Sequence, residues 1–168
     1  MEIIIRSVKI SDASDLNEMR RQDGVMENTL GISSETVMKS EEFLKNLDAN
    51  SHLLVAQAHG KVVGVVGLSI MKNPRLRHSA SLGISVRKEY QGQGIGKKLM
   101  ENILDLADNW LMLIRVELGV FEGNERAMKL YESLGFEVEG KRKYAAIRNG
   151  EYVDEYLMAR YNIPKQFR

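Results

Sequence analysis

Apolar residues along the chain switch between two spacings, and each switch marks an element. Ile3–Val8 predicts a strand, followed by a helix capped at Ser11 or Asp12 with Ala13, Leu16 and Met19 on one face. Residues 24–34, with Asn28, Gly31 and Ser33, read as a loop. Glu35–Leu47 reads as a second helix that turns Val37, Phe43, Leu44 and Leu47 inward. The period then shortens to two. His52–Ala58 and Lys61–Met71 predict a hairpin across His59-Gly60, and Ala80, Leu82, Ile84 and Val86 give the next strand one apolar face. Beyond a glycine-rich turn, Ile95, Leu99, Ile103, Leu106 and Trp110 restore helical spacing. Ile114, Val116, Leu118 and Val120 return to strand spacing, and Asn124 caps a short helix that Gly135 ends. Phe136–Tyr144 and Glu151–Arg160 pair across Asn149-Gly150. The order βααβββαβαββ predicts an α+β (mixed α/β) fold, with a central mixed sheet and helices on both faces.

Composition narrows the class. A length of 168 residues, with no linker-like run and no repeat, suits one domain over 1–168. The absence of cysteine excludes a disulfide framework, a thiolate metal site and a Cys nucleophile, and it is compatible with a reducing cytoplasm. A net charge of +1 gives no global pull toward nucleic acid or an anionic membrane. No stretch approaches the ~20 apolar residues of a membrane span. The expectation is a soluble, cytoplasmic protein with no metal, nucleic-acid or membrane partner.

The turn Gln91-Gly92-Gln93-Gly94-Ile95-Gly96-Lys97 lies between a predicted strand and a predicted helix. Glycine permits a sharp turn there, and the free N–H groups of the first helical turn suit a phosphate. Arg87, Lys88, Lys97 and Lys98 add positive charge against Glu89. A P-loop fails twice, since Gln91 stands at its first glycine and Lys98 at its hydroxyl position; a dinucleotide fingerprint fails at Lys97. What remains is Gln-x-x-Gly-x-Gly, which by itself also reads as a tight turn. About thirty residues on stands Asn124-x-x-Ala127-x-x-Leu130-Tyr131-x-x-x-Gly135-Phe136. Taken alone, its tyrosine reads as a core residue.

Together, in this order and separation, the two motifs resemble those of the GNAT acetyltransferase superfamily, as does the element order. The segments around Asp108-Asn109-Trp110-Leu111 and Arg148-Asn149-Gly150-Glu151-Tyr152-Val153-Asp154 are similar to a bacterial branch that acetylates small amines, including amino acids. The resemblance implies acetyl-CoA as cosubstrate, held where the fourth and fifth strands splay apart. Carried over, the backbone of Ile84, Ser85 and Val86 would pair with the pantetheine amides. The N–H groups of Gln91, Gly92, Gln93, Gly94, Ile95, Gly96 and Lys97 would hold the pyrophosphate. Asn124 would contact the cofactor near its pantetheine arm, with Arg126 or Lys129 in reach. Val86 N–H would polarise the thioester, and Tyr131 would act as general acid on the leaving sulfur.

The general base is less defined. Relatives often place a glutamate on the fourth strand, whereas Ala80–Val86 has no acid. Glu117 and Glu27 are the candidates, with His78 a third. An α-amine of pKa ~8 costs only ~1.4 kcal/mol to deprotonate at pH 7, against ~4.6 kcal/mol for a lysine-like amine at ~10.4. A missing strand carboxylate therefore hurts an amino-acid acceptor least. Met26, Glu27, Asn28 and Thr29, with Tyr152 and Tyr156, are candidate substrate contacts. The leading reading is direct acetyl transfer to the primary amine of a small molecule, with a homodimer as the assembly the resemblance suggests. The alternatives are a protein N-terminal acetyltransferase and a non-catalytic CoA-binding module.

Overall fold

A computed structural model describes residues 1–168. The elements are β1 (Ile4–Ser7), α1 (Ala13–Arg20), α2 (Val37–Lys45), β2 (Ser51–Ala58), β3 (Lys61–Ile70), β4 (Ser79–Val86), α3 (Ile95–Asp105), β5 (Arg115–Phe121), α4 (Glu125–Ser133), β6 (Glu137–Arg148) and β7 (Glu151–Tyr161). The seven strands form one mixed sheet in the order β1-β2-β3-β4-β5-β7-β6. By contacts the chain divides into two compact units, Met1–Ser69 with Ile84–Asp105, and Ile70–Gly83 with Leu106–Arg168.

In the first unit, β1 pairs antiparallel with β2, and β2 with β3. The β2–β3 turn puts both His59 (φ 49°) and Gly60 (φ 76°) in the left-handed region, the geometry of a two-residue hairpin that matches strand twist. Helices cover both faces of these strands. Ala13, Leu16 and Met19 of α1 and Leu44 of α2 pack with Val55 and Val62 on one face. On the other, a Cβ at Gly64 would lie 2.9 Å from Leu99 Cδ1 and 3.4 Å from Ile95 Cγ2, so the glycine admits α3 close to the sheet. Three local expectations change. Asp12 precedes α1, but its carboxylate accepts from Lys9 N (2.7 Å) and both Arg6 Nη atoms (2.9 Å each) instead of capping the helix. Thr36 caps α2 through Lys39 N. Val37 and Phe43 are exposed, because α2 turns Ser40 and Leu44 inward.

In the second unit, β4 and β5 are parallel and pair over Ser79–Ser81 with Arg115–Glu117 only, although β5 continues to Phe121. Beyond that point β5 keeps its full antiparallel ladder with β7, from Arg115↔Tyr161 to Phe121↔Glu155. Val116, Leu118 and Val120 are buried on one face of β5; Arg115, Glu117, Gly119 and Phe121 stand on the other. Trp110 does not continue the buried stripe of α3. A π turn over Leu106–Trp110, with Leu111 N donating to Leu106 O at 3.0 Å, inserts an extra residue and rotates the phase. Ala107 is buried in consequence and Trp110 is 76% exposed. The β6–β7 hairpin turns at Asn149 (φ 50°) and Gly150 (φ 77°) as expected. It is longer than the sequence pattern suggested: β6 runs on to Arg148, past a register shift between Arg142 and Ala146 where Tyr144 takes φ 52°.

Candidate active site

In the first unit, β4 ends in half-buried Ile84, Ser85 and Val86, and the glycine turn follows. Gly92 (φ 75°) and Gly94 (φ 81°) both occupy the left-handed region, which L-residues enter at a cost of ~1–2 kcal/mol. A Cβ at Gly94 would meet no atom within 4 Å, so conformation and not crowding calls for glycine there. The first bond spanning the start of α3 is Lys98 N to Gly94 O, 3.1 Å, which leaves the amides of Ile95, Gly96 and Lys97 ahead of the helix at its positive end. The turn is braced from within. Gln91 Nε2 donates to Val86 O (3.0 Å), and Gln93 Nε2 donates to Glu89 O (2.9 Å).

Arg87 does not add to the positive charge outside the turn. Its side chain is fully buried, with Nε on Val62 O (2.8 Å), Nη1 on Glu18 Oε1 (3.0 Å) and Nη2 on Asp15 O (3.1 Å). Its own N–H donates to Val63 O at 2.8 Å. Arg87 thus fastens the end of β4 to α1 and β3, a function that its sequence position before the glycines does not disclose. Lys88, Lys97 and Lys98 are exposed and supply the cationic surface, Lys97 with Glu101 Oε1 3.7 Å away.

The α1–α2 connection holds the other first-unit candidates. Glu27 stands in the short helical turn Met26–Asn28, where its Oε2 accepts from Gly24 N at 2.5 Å. The Thr29 hydroxyl accepts from Gly31 N (3.1 Å) and donates to Met26 O (3.4 Å), while Asn28 is exposed. Glu27 and Thr29 therefore also shape their own turn.

In the second unit, Asn124 Oδ1 accepts from Ala127 N at 3.4 Å and opens α4, as expected of a cap. Arg126 and Lys129 are exposed on this helix. Tyr131 is 6% exposed, its ring tilted against Phe136 at 5.9 Å. Its hydroxyl makes no hydrogen bond within the protein, and burial pushes its pKa up to about 12. A phenol in that state stays protonated throughout the neutral range and has a free O–H to donate. Glu117 Oε2 accepts from Arg115 Nε (3.1 Å) and Nη2 (2.9 Å). Arg115 also binds Glu139 (2.5 and 2.8 Å), to which the Tyr161 hydroxyl donates. This cluster raises the Arg115 pKa and holds Glu139 down to about 2, and the sequence reading did not foresee it. His78 is exposed, and its carbonyl accepts from Ile114 N and Arg115 N. Tyr152 is exposed and edge-on to Tyr144 (6.2 Å), whereas Tyr156 lies beneath Lys141 Nζ at 5.1 Å. No three His, Cys, Asp or Glu side chains group so as to hold a metal ion, and no helix is long and apolar enough to cross a membrane.

Comparison with known proteins places these features in a family. The model of the acetyltransferase (GNAT) family matches residues 19–136. An L-amino acid N-acetyltransferase of Escherichia coli (strain K12) is 38% identical over 159 residues, covering 95% of this chain and 98% of that protein. A spermidine N(1)-acetyltransferase of the same organism is 30% identical over 105 residues, 62% of this chain and 55% of the relative. Among solved structures, a GNAT-family acetyltransferase from Streptococcus pneumoniae superposes with a TM-score of 0.84 at 30% identity, over 96% of this chain and all of that one. A protein from Salmonella typhimurium solved with acetyl-CoA shares the fold, with a TM-score of 0.84 at 18% identity. The chain belongs to the acetyltransferase (GNAT) family. It is an N-acetyltransferase, an enzyme that transfers an acetyl group to an amine.

Proposed function

We propose that this enzyme transfers the acetyl group of acetyl-CoA directly to the primary amine of a small molecule, the α-amine of an L-amino acid. The observation that carries the choice of acceptor is the 38% identity to an L-amino acid N-acetyltransferase over nearly the whole of both chains. The lack of any acid on β4 agrees with it, since an α-amine near pKa ~8 needs least help to lose its proton. A bound acetyl-CoA supplies the activated acetyl group as a thioester. The amides of Gly92–Lys97 hold its pyrophosphate at the start of α3, with Lys88 and Lys98 adding charge; the amide of Gln91, also expected in this set, already donates to Lys88 O at 3.2 Å and falls outside it. Ile84, Ser85 and Val86 offer strand backbone to the pantetheine arm, and Val86 N–H polarises the carbonyl oxygen. Asn124, Arg126 and Lys129 serve the cofactor from α4.

As the amine nitrogen bonds to the carbonyl carbon, the C–S bond breaks and charge passes to sulfur. The Tyr131 O–H points a hydrogen bond at that sulfur. Burial holds the phenol protonated, with its pKa pushed up to about 12, and the same burial raises the pKa of a thiolate leaving beside it, so Tyr131 serves as the general acid on the sulfur. The proton that the amine loses passes to water, and the phenolate takes one back from solvent. Glu117 acts as base only after parting from Arg115, and Glu27 only after releasing Gly24, so water is the first acceptor. Asn28, Thr29 and Tyr152 are proposed to meet the remainder of the acceptor. We extend the reading to a cytoplasmic bacterial enzyme, in keeping with the bacterial origin of the relatives named above, and to a homodimer, the assembly that the family resemblance suggests; sedimentation measures the assembly.

The deciding experiment is acetyl-CoA turnover across free amino acids, polyamines and peptides. Amino acids are expected to lead. Turnover confined to spermidine would replace the acceptor class, and turnover confined to peptide N-termini would favour the protein-acetylating alternative. Acetyl-CoA binding with no acetylated product anywhere would leave a CoA-binding module.

A further inference from the structure

The first unit holds a glutamine that none of the roles above uses. Gln22 lies just past the end of α1, half-buried, at the head of the α1–α2 connection. Its backbone carbonyl accepts from Val25 N (3.1 Å) and Met26 N (2.9 Å), which starts the turn that carries Met26–Asn28. Met26 O then accepts from Thr29 N at 3.3 Å. The proposed acceptor contacts Asn28 and Thr29 thus follow from Gln22 through backbone bonds.

The side chain of the same residue reaches the lead-in to the glycine turn, which belongs to the same unit. Gln22 Oε1 accepts from Lys88 N (3.2 Å), and Nε2 donates to Glu89 Oε2 (3.1 Å). An N–H at one end and a carboxylate at the other fix which end of the amide is oxygen. Glu89's own N–H and Gln22 together hold that carboxylate below the ordinary range, so it accepts as an anion at neutral pH. Glu89 O is also the carbonyl to which Gln93 donates from between Gly92 and Gly94. The path Gln22–Glu89–Gln93 therefore runs from the acceptor side to the proposed pyrophosphate site. Gly24 (φ +84°) follows the Lys88 stem closely enough that a Cβ would lie 3.4 Å from Lys88 Cδ.

Both bonds of the Gln22 amide are exposed, and they border an open cleft of about 510 Å³ lined by Gln22, Asp23, Lys88 and Glu89. Exposed hydrogen bonds exchange with water and add little to stability. What they fix is placement, because an amide engaged through both oxygen and nitrogen holds two segments in one orientation. Direct transfer needs that placement: a shift of about 1 Å between reacting groups costs about a hundredfold in rate.

We propose that Gln22 is a positioning residue that registers the two substrates: its carbonyl sets the turn that meets the acceptor, and its side-chain amide ties that turn to the one that holds acetyl-CoA. The inference rests on the acetyltransferase reading above and adds to it the connection that aligns amine with thioester.

The test is steady-state kinetics with the amino acid that wild type acetylates fastest, beside thermal midpoints and acetyl-CoA affinity by calorimetry. Gln22→Met keeps the length of the side chain without its polar ends. It is expected to lower kcat about tenfold to a hundredfold while the acceptor KM moves by no more than about threefold. Acetyl-CoA affinity and the thermal midpoint are expected to stay at wild-type values, since Gln91 and Gln93 still brace the turn. Gln22→Glu sets a second carboxylate against Glu89 and is expected to be as slow. Adding Glu89→Gln to it restores a donor–acceptor pair with the roles exchanged, and is expected to return kcat to within about threefold of wild type. Wild-type kcat in Gln22→Met overturns the proposal and leaves the acetyltransferase reading standing, as does a double variant no faster than Gln22→Glu. A matching loss of acetyl-CoA affinity, or a lowered thermal midpoint, in Gln22→Met would assign Gln22 to upkeep of the fold and also overturn it. Absence of wild-type turnover on every amine overturns that reading itself and this proposal with it.

Discussion

At the scale of single residues, the most informative group is the hydroxyl of Tyr131, because it has no partner inside the protein. Tyr131→Phe therefore breaks no internal hydrogen bond, and stability at neutral pH should change by no more than about 0.5 kcal/mol. Turnover should fall about a hundredfold while acetyl-CoA affinity, read by calorimetry, stays near wild type. Equal turnover would remove the tyrosine from the chemistry. A pH experiment tests the burial of the phenol itself. In the folded protein the phenol titrates at about 12, against ~10 when unfolded. The folded state then holds the proton over a range where the unfolded chain has lost it. Stability contributed by the burial is complete below pH ~10 and declines as pH rises toward 12, by ~2.7 kcal/mol for two pH units. Denaturant unfolding between pH 9 and 11.5 should fall more steeply for wild type than for Tyr131→Phe. Arg87 makes the contrasting case. Its guanidinium satisfies two backbone carbonyls and Glu18, so Arg87→Met should cost about 3 kcal/mol, and Lys should not rescue it because one ammonium cannot reach the same fork of acceptors. Urea midpoints measure both.

At the scale of elements, the glycine turn is proposed to join folding to function through backbone alone. With φ +81° at Gly94 and open space around its Cα, Gly94→Ala meets strain but no clash. A stability loss of ~1–2 kcal/mol is expected, and a weaker grip on acetyl-CoA if the amides hold phosphate. Calorimetry that finds the cofactor bound as tightly as before would withdraw the turn from the site. The turn was legible in the sequence because glycine spacing, a strand before it and an amphipathic helix after it are local signals that agree. Both hairpin turns were legible for the same reason. What stayed hidden depends on side chains meeting across long separations. Nothing local distinguishes Arg87, which binds residues of α1 and β3, from the solvated lysines beside it. Gln22 reads as one more polar residue after a helix until the lead-in to the glycine turn is laid beside it. Trp110 was misplaced because a π turn adds a residue that helical periodicity cannot anticipate.

At the scale of the whole molecule, carboxylates in both units titrate below their ordinary range in the folded state. In the first unit, Asp12 is lowered chiefly by its hydrogen bond from Arg6, Glu18 by that from Lys61 and Glu35 by that from Arg20. In the second, the hydrogen bond from Arg115 holds Glu139 down to about 2. Each group is ionised and paired when folded but would take up a proton near pH ~4 when unfolded. Their contribution is therefore fully present above that pH and is lost as pH falls toward 2, because the unfolded chain then binds more protons. Partial exposure tempers each pair: surface ion pairs contribute ~0–1 kcal/mol, and salt screens them further. Urea midpoints should be level from pH 8 to 5, drop below pH 4, and drop less for Glu139→Gln than for wild type. Raising salt should flatten the slope in proportion to the exposure of the pairs. A midpoint independent of pH down to 2.5 would mean that these pairs do not hold the fold. Stability would then rest on the buried aliphatic layers and the Arg87 anchor alone.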